Sequence, residues 1–327
     1  MTMDEIIVEN LISKLKDSEF GMSNAEGEWN WINDNHRKEY LESIFTRNWA
    51  VLRSLLMDPL NAKVAYGIMT PVNQQDENSL FNNDFKADLK LFTNLYGDQG
   101  LEDLKHSMCL KHPWSNQTEI YMTYPDSPRH AHFARNLIEI VPPAMIGIEI
   151  GGGYGGMIYF LKKFGFTEKI VDCDLLETLL IAYVFLSFNK LRVELCLTRE
   201  HLLEAIVGDA QVILIIPSLF KVLQEIGDVG FTFNSRSLSE MSEAQSMEYL
   251  KTVNTRISPR YIVSENAEEL LFPYSIRHIE KIQDDLAAHL SNYKLIEKNR
   301  TNFMGGAGRY TSRVYANLQG KIEDRDS

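Results

Sequence analysis

A chain of 327 residues, 44% hydrophobic and 10% aromatic, has the apolar content for an ordinary buried core and the length of one large domain. Its formal charge of -12, from 45 acidic against 33 basic residues, argues against general nucleic-acid binding and against docking on an anionic membrane. The three cysteines, Cys109, Cys173 and Cys196, are scattered without a C-x-x-C pair, which suggests neither a disulfide framework nor a zinc site and fits a reducing cytoplasm.

The opening residues Met1 to Glu5 are acidic and lack the apolar stretch of a secretion signal. No apolar run approaches the roughly 18 residues of a membrane helix. Residues 1 to about 110 read as a mostly helical region that could cover a pocket, bind an acceptor or form a homodimer. The clearest helix is 37–57, where Leu41, Ile44, Phe45, Trp49, Leu52, Leu55 and Leu56 recur at helical spacing before Pro59. The polar run 73–78 reads as a loop and 85–110 as a second helical region. Residues 111–132 hold an irregular connector, rich in proline and turn formers up to Arg129. The sequons at Asn116 and Asn299 read as chance matches. Trp29, Trp31 and Trp114 suit either stacking on sugar rings or packing in the core.

From about 133 to 320 short apolar runs alternate with helical stretches. A helix over 133–141 leads to a strand over 145–150, a glycine turn, and a helix that Gly165 closes. Further strands follow at 169–173, 193–197, 212–216, 231–233 and 261–264. Helices are expected at 175–188, 243–257 and 276–290. The runs 293–297 and 312–317 look like a closing antiparallel pair, and the charged tail 321–327 reads as disordered. This alternation predicts a doubly wound α/β sheet covered on both faces.

The turn Glu149-Ile150-Gly151-Gly152-Gly153-Tyr154-Gly155-Gly156 joins the first strand to its helix, where an open parallel sheet binds ligands. Glycines let the chain reverse tightly and a cofactor approach the backbone, and the helix start offers free N–H groups. Gly151-x-Gly153-x-x-Gly156 also fits the dinucleotide fingerprint, so a nicotinamide-dependent oxidoreductase is the enzymatic alternative. Glu149 decides against it. A carboxylate there orders the turn or meets the cationic part of S-adenosylmethionine, whereas a pyrophosphate would be repelled. Asp172 and Asp174 end the second strand, where a carboxylate accepts from ribose hydroxyls. Asp174, three residues before Glu177, is also a candidate helix cap.

The segments Glu149 to Gly156, Val171 to Thr178 with Ala182-Tyr183, and Phe233-Asn234-Ser235-Arg236-Ser237-Leu238-Ser239-Glu240-Met241 together resemble the sugar O-methyltransferase family. The sequence departs from that family's Asp-Leu-Pro-Glu-Thr at Leu176, a position where proline is favourable but not required. The resemblance implies a class I methyltransferase, Rossmann-like fold of seven strands with the last antiparallel. It also implies S-adenosyl-L-methionine as cofactor, a hydroxyl of a sugar or glycan as acceptor, and Tyr154, Gly155, Asn234 and Ser235 beside the cofactor. A scaffold that keeps the fold without catalysis would be expected to have lost these motifs, which are intact.

Methyl transfer from a sulfonium is an in-line displacement, and a sugar hydroxyl benefits from a general base. Glu240 after the fourth strand of that fold is one candidate, and helix capping accounts for it equally well. His130 and His132, ahead of the first sheet helix, are candidates as base or metal ligand. They lack a partner carboxylate at fixed spacing, so no metal site is assigned and the need for a divalent metal stays open. Arg135 could meet the cofactor carboxylate or pair with Glu139. The glycine-rich loop 302–309, with Arg309, is a candidate for acceptor recognition or a plain hairpin tip.

Overall fold

A computed structural model describes residues 2–20, 37–57, 59, 64, 80–104, 126–141, 144–267, 284, 287–303 and 310–318. The expectations for Trp29, Trp31, Trp114, Cys109, Asn116, the 73–78 loop, the 321–327 tail, Arg309 and most of the 276–290 helix lie outside the described residues.

Helix α1 (Met3–Lys16) starts with a reciprocal cap: the Glu5 N–H donates to Thr2 Oγ1 at 3.2 Å, and the Thr2 N–H donates to Glu5 Oε2 at 2.7 Å. The single helix expected over 37–57 is two, α2 (Lys38–Phe45) and α3 (Trp49–Met57). Arg47 turns left-handed (φ 56°) between them, and the Asn48 side chain accepts from the Val51 N–H at 3.4 Å, as a cap does. Apolar residues on both sides keep helical phase across the break, so periodicity alone does not reveal it. Helix α4 (Leu80–Leu104) bends at Gly97, whose φ is 64°.

The connector ends earlier than expected, because α5 (Ser127–Ile140) already contains Arg129, His130 and His132. Pro128 sits in its first turn, where a missing N–H costs nothing. The strands are β1 (Ile146–Ile150), β2 (Ile170–Cys173), β3 (Val193–Cys196), β4 (Val212–Ile215), β5 (Val229–Ser235), β6 (Tyr261–Ala267), β7 (Tyr293–Thr301) and β8 (Tyr310–Asn317). They form one sheet in the order β3-β4-β2-β1-β5-β6-β8-β7. The pairs from β3 through β6 are parallel, and β8 runs antiparallel between β6 and β7. The doubly wound sheet and its antiparallel last strand agree with the sequence reading, and the described residues hold eight strands, as the apolar runs number, where the family resemblance implied seven. The wholly apolar, fully buried β4 takes the interior place beside β2, while β3 stays at the edge. There the mid-strand Glu194 is half-exposed and meets Lys14 at 2.6 Å.

Side chains alternate along the strands and supply two cores. On one face Val171, Ile213, Ile215 and Ile262 pack with α8 (Arg199–Val207), the 3-10 turn Pro217–Glu225 and α10 (Glu243–Thr252). On the other, Ile170, Leu214, Phe231 and Phe233 pack with α5, α6 (Gly156–Lys163) and α7 (Leu176–Phe188). Twelve of the thirteen residues of α7 are buried, so the sheet alone does not cover it. Its outer side is closed by the N-terminal helices, whose Val8, Leu11, Ile12, Leu15, Tyr40, Ile44, Leu52 and Leu56 join the same core. Among the described residues no helix is long and apolar enough to cross a membrane.

Candidate functional site

The chain leaves β1, builds β2 to β4 on one side, and returns to β5 on the other. The crevice beyond the carboxyl ends of β1 and β5 is therefore the switch point of the sheet. The glycine turn occupies it. Gly151 takes φ 75°, donates to the Cys173 carbonyl at 2.9 Å, and leaves no room for a Cβ against the Ser237 side chain. Gly153 takes φ 60° and faces open space. Gly155 is the N-cap of α6.

Two carboxylates hold the turn from the end of β2. Asp172 Oδ1 accepts from the Gly152 N–H at 3.1 Å, and Asp174 Oδ2 accepts from the Gly153 N–H at 2.9 Å. Asp174 Oδ1 accepts in addition from the Leu175 N–H at 2.7 Å. Asp174 is not the helix cap that its spacing to Glu177 suggests, because Leu175 holds that position and α7 opens on Leu176. Glu149, the register partner of Asp172 on the neighbouring strand, is the third carboxylate and is buried. Its Oε2 and Asp172 Oδ2 are buried oxygens with no hydrogen-bond partner.

Three carboxylates so close, and so dry, cannot all ionise at their usual pKa. Burial and then the Asp174 charge push Glu149 up to about 8, while Arg129 pulls it down. Burial, Glu149 and Asp174 push Asp172 well above the carboxylate range. For Asp174 burial dominates and the result is about 7, because its two backbone hydrogen bonds and the Arg37 charge offset burial and Glu177. The cluster stores negative potential that a cationic or hydrogen-bond-donating ligand would relieve.

An open cleft adjoins this cluster, lined by Gly151, Gly153, Cys173, Asp174, Leu175, Pro217, Ser237, Met241, Gln245 and Tyr249. Sequence reasoning missed the wall formed by Pro217, Met241, Gln245 and Tyr249. The available signals were Pro217 directly after a strand end and Met241 at the end of the third family-like segment. Tyr249 meets Cys173 Sγ at 3.6 Å and packs edge-on against Phe220.

The remaining candidates separate into two groups. Asn234 is a brace: its Nδ2 donates to the last carbonyl of β1, on Ile150, at 2.8 Å, and its Oδ1 accepts from Asn266 Nδ2 at 2.9 Å. Ser237 Oγ donates to the same Ile150 carbonyl at 2.8 Å. Ser235 joins a second buried cluster, donating to Glu265 Oε2 at 2.5 Å and accepting from Arg129. Arg129 Nη1 donates to Glu265 at 3.1 Å and Arg236 lies 3.8 Å from it. Burial opposes the charge on Glu265, but the Arg236 and Arg129 guanidiniums outweigh burial and hold the carboxyl below its usual range.

His130 is buried with both ring nitrogens engaged, by Tyr154 Oη at 3.2 Å and by Arg129 Nη2 at 3.0 Å. Since the guanidinium can only donate, Nε2 accepts and the proton sits on Nδ1. Burial and the charges of Arg129 and Arg236 hold His130 neutral, its pKa well below the imidazole range. Tyr154 thus turns into the core, edge-on to Phe185, rather than into the cleft. His132 is engaged by Tyr96 Oη at 2.7 Å and Asn136 at 3.1 Å, and burial lowers its pKa. Glu240 ends the one-turn helix α9 (Ser237–Glu240) and is half-buried. Arg135 ion-pairs with Asp103 and lies 4.9 Å from the Tyr96 ring centre and 4.5 Å from that of Phe164, tying α5 to α4. Among the described residues no group of three His, Cys, Asp or Glu is placed to hold a metal ion.

No family model matches the chain and no curated protein matches it. Solved structures similar to it include the small RNA methyltransferase HEN1, at 14% identity and a TM-score of 0.42, covering 60% of this chain and 26% of that one. A mutant of MtNAS is similar at 11% identity and a TM-score of 0.38, covering 97% of this chain and 99% of that one. A SAM-dependent methyltransferase from Aquifex aeolicus is similar at 16% identity and a TM-score of 0.38, covering 72% of this chain and 98% of that one. The match thus spans about a quarter of the length of HEN1.

Proposed function

We propose that the chain is an S-adenosylmethionine-dependent O-methyltransferase whose acceptor is a hydroxyl of a sugar or glycan. The observation that carries the cofactor is the carboxylate cluster at the glycine turn. Glu149 Oε2 and Asp172 Oδ2 are buried without partners, and the open face of Gly153 leaves room for a ligand against the backbone. A ligand bearing a sulfonium, an ammonium and two ribose hydroxyls answers that demand. A dinucleotide would bring its pyrophosphate to the same three carboxylates, at a Coulomb cost.

In this reading Asp174 and Asp172 accept from the ribose, and Glu149 lends negative potential to the cationic portion. Pro217, Met241 and Tyr249 form the apolar wall of the cleft. When bound, the cofactor supplies an activated methyl group. The chain's own contribution is to exclude water, align the acceptor and remove its proton. Glu240, half-buried at the end of α9, is the candidate for that last role. The sugar acceptor rests on the resemblance of the three sequence segments, and the net charge of -12 favours a small molecule or glycan over nucleic acid.

Calorimetric titration with S-adenosylhomocysteine and, separately, NADH tests the cofactor. Micromolar binding of the first and none of the second supports the proposal and justifies screening nucleotide sugars and glycans as acceptors. Binding of NADH alone overturns it in favour of an oxidoreductase, and binding of neither leaves a non-catalytic scaffold.

A further inference from the structure

The N-terminal helices do more than cover α7, because Arg37, at the N-terminal boundary of α2, is among the largest wholly buried side chains. A guanidinium so buried needs a counter-charge nearby. It lies over the first turn of α7, where its Nη1 donates to Thr178 Oγ1 at 3.4 Å. The adjoining turn of α2 is fixed to the same place, since Tyr40 Oη donates to the Glu177 carbonyl at 2.7 Å. Asp174 ends the loop that enters this turn, two residues before Leu176. The N-terminal region thus holds a permanent positive charge at the first turn of α7, the helix that Asp174, the carboxylate holding Gly153, leads into.

We infer that Arg37 is a positioning residue of the cofactor site, keeping Asp174 ionised so that it can accept from the ribose of an adenosine-bearing ligand. The inference rests on the methyltransferase reading for the identity of the ligand, and on the geometry of α2, α7 and the turn for the role of Arg37. Several groups face Asp174. Glu149 and Asp172 approach from the sheet, Glu177 from α7, Cys173 and Tyr249 from the cleft wall, and Arg37 from α2. Arg37 is the cation among the groups acting on Asp174, and its charge lowers the pKa that burial and Glu177 raise. On the far side of the cluster Arg129 acts on Glu149 in the same sense. The acidic crevice is held between two arginines that belong to helices outside the sheet.

The test is calorimetric titration of S-adenosylhomocysteine from pH 6 to 9 on the full chain, for the wild type, Arg37→Gln, Arg37→Lys and the pair Arg37→Gln with Asp174→Asn. Loss of the charge should raise the pH below which affinity fades by about one unit, equal to roughly tenfold weaker binding near neutrality. Lysine should restore the wild-type midpoint, and in the Asp174→Asn background Arg37→Gln should have no further effect on affinity. An unmoved midpoint in Arg37→Gln, or equal behaviour of Gln and Lys, overturns the inference. If Arg37→Gln does not fold, Arg37→Met, which removes the charge and keeps an unbranched apolar stem in the buried site, is read instead. A raised midpoint there supports the inference and an unmoved one overturns it. Absence of binding by the folded wild type at every pH would instead sink the methyltransferase reading itself.

Discussion

Glu149 shows how a single residue carries two consequences. Its folded pKa of about 8 lies above the ordinary carboxylate value, so the folded protein holds this proton more tightly than the unfolded chain does. The unfolded state binds fewer protons between about pH 4.5 and 8, and stability therefore falls as pH rises through that window. Glu149→Gln should remove this loss. We expect its melting temperature to exceed that of the wild type by several degrees at pH 8.5 and to match it at pH 4.5, with weaker binding of S-adenosylmethionine at both. A gain of equal size at both pH values would show that packing, not ionisation, is responsible. Gly153 is a cleaner probe of the cleft. With open space around its Cβ position but a left-handed φ of 60°, Gly153→Arg should abolish cofactor binding while lowering stability by only about 1 to 2 kcal/mol. Unchanged affinity would mean that the ligand lies elsewhere. Glu149, Asp172, Asp174 and the glycines were legible because a strand end followed by glycine leaves few places for a carboxylate to point. His130 and His132 were not, since their chemistry depends on Tyr154, Arg129, Tyr96 and Asn136, which sequence distance conceals.

Elements were legible where their apolar runs were self-sufficient, as in β1, β2, β4 and α7. Order within the sheet was not, since nothing local tells β4 to enter between β2 and β3. Ends were lost where polar residues continue a strand: β6 runs on through Glu265 and Asn266, which hydrogen bonds to Arg129 and Asn234 make tolerable inside. The carbonyl end of β1 depends on such a bond. Asn234 and Ser237 both donate to the Ile150 oxygen, fixing the strand from which the glycine turn springs. Asn234→Leu deletes one donor to Ile150 and removes one of the two acceptors, the other being Ser264 Oγ at 2.8 Å, of the buried Asn266 amide. A loss of about 1 to 3 kcal/mol is expected, measurable as a lower urea midpoint at constant slope. A variant as stable as the wild type would show that Ser237 suffices.

At the scale of the whole molecule the helical N-terminal region and the sheet are not separable by their cores. A helix with twelve buried residues out of thirteen, lying on the outside of a sheet, already requires a second cover, and α1 to α3 supply it. That signal was present in the sequence 176–188, although no motif in the first 110 residues pointed to it. A chain starting at residue 126 should expose α7, bind a hydrophobic dye and lose its cooperative thermal transition. A sharp transition for that fragment would show two independent folding units.

The position of β8 has a consequence for the order in which the chain can mature. Among the described strands the last in chain order, β8, is not an edge strand but the one that joins β6 to β7. Until residue 317 has emerged, β6 presents an open row of backbone donors and acceptors, and β7 has no neighbour in the sheet. The nascent protein thus carries that open edge until β8 has emerged, and a product stopped near residue 309 would keep it for its lifetime.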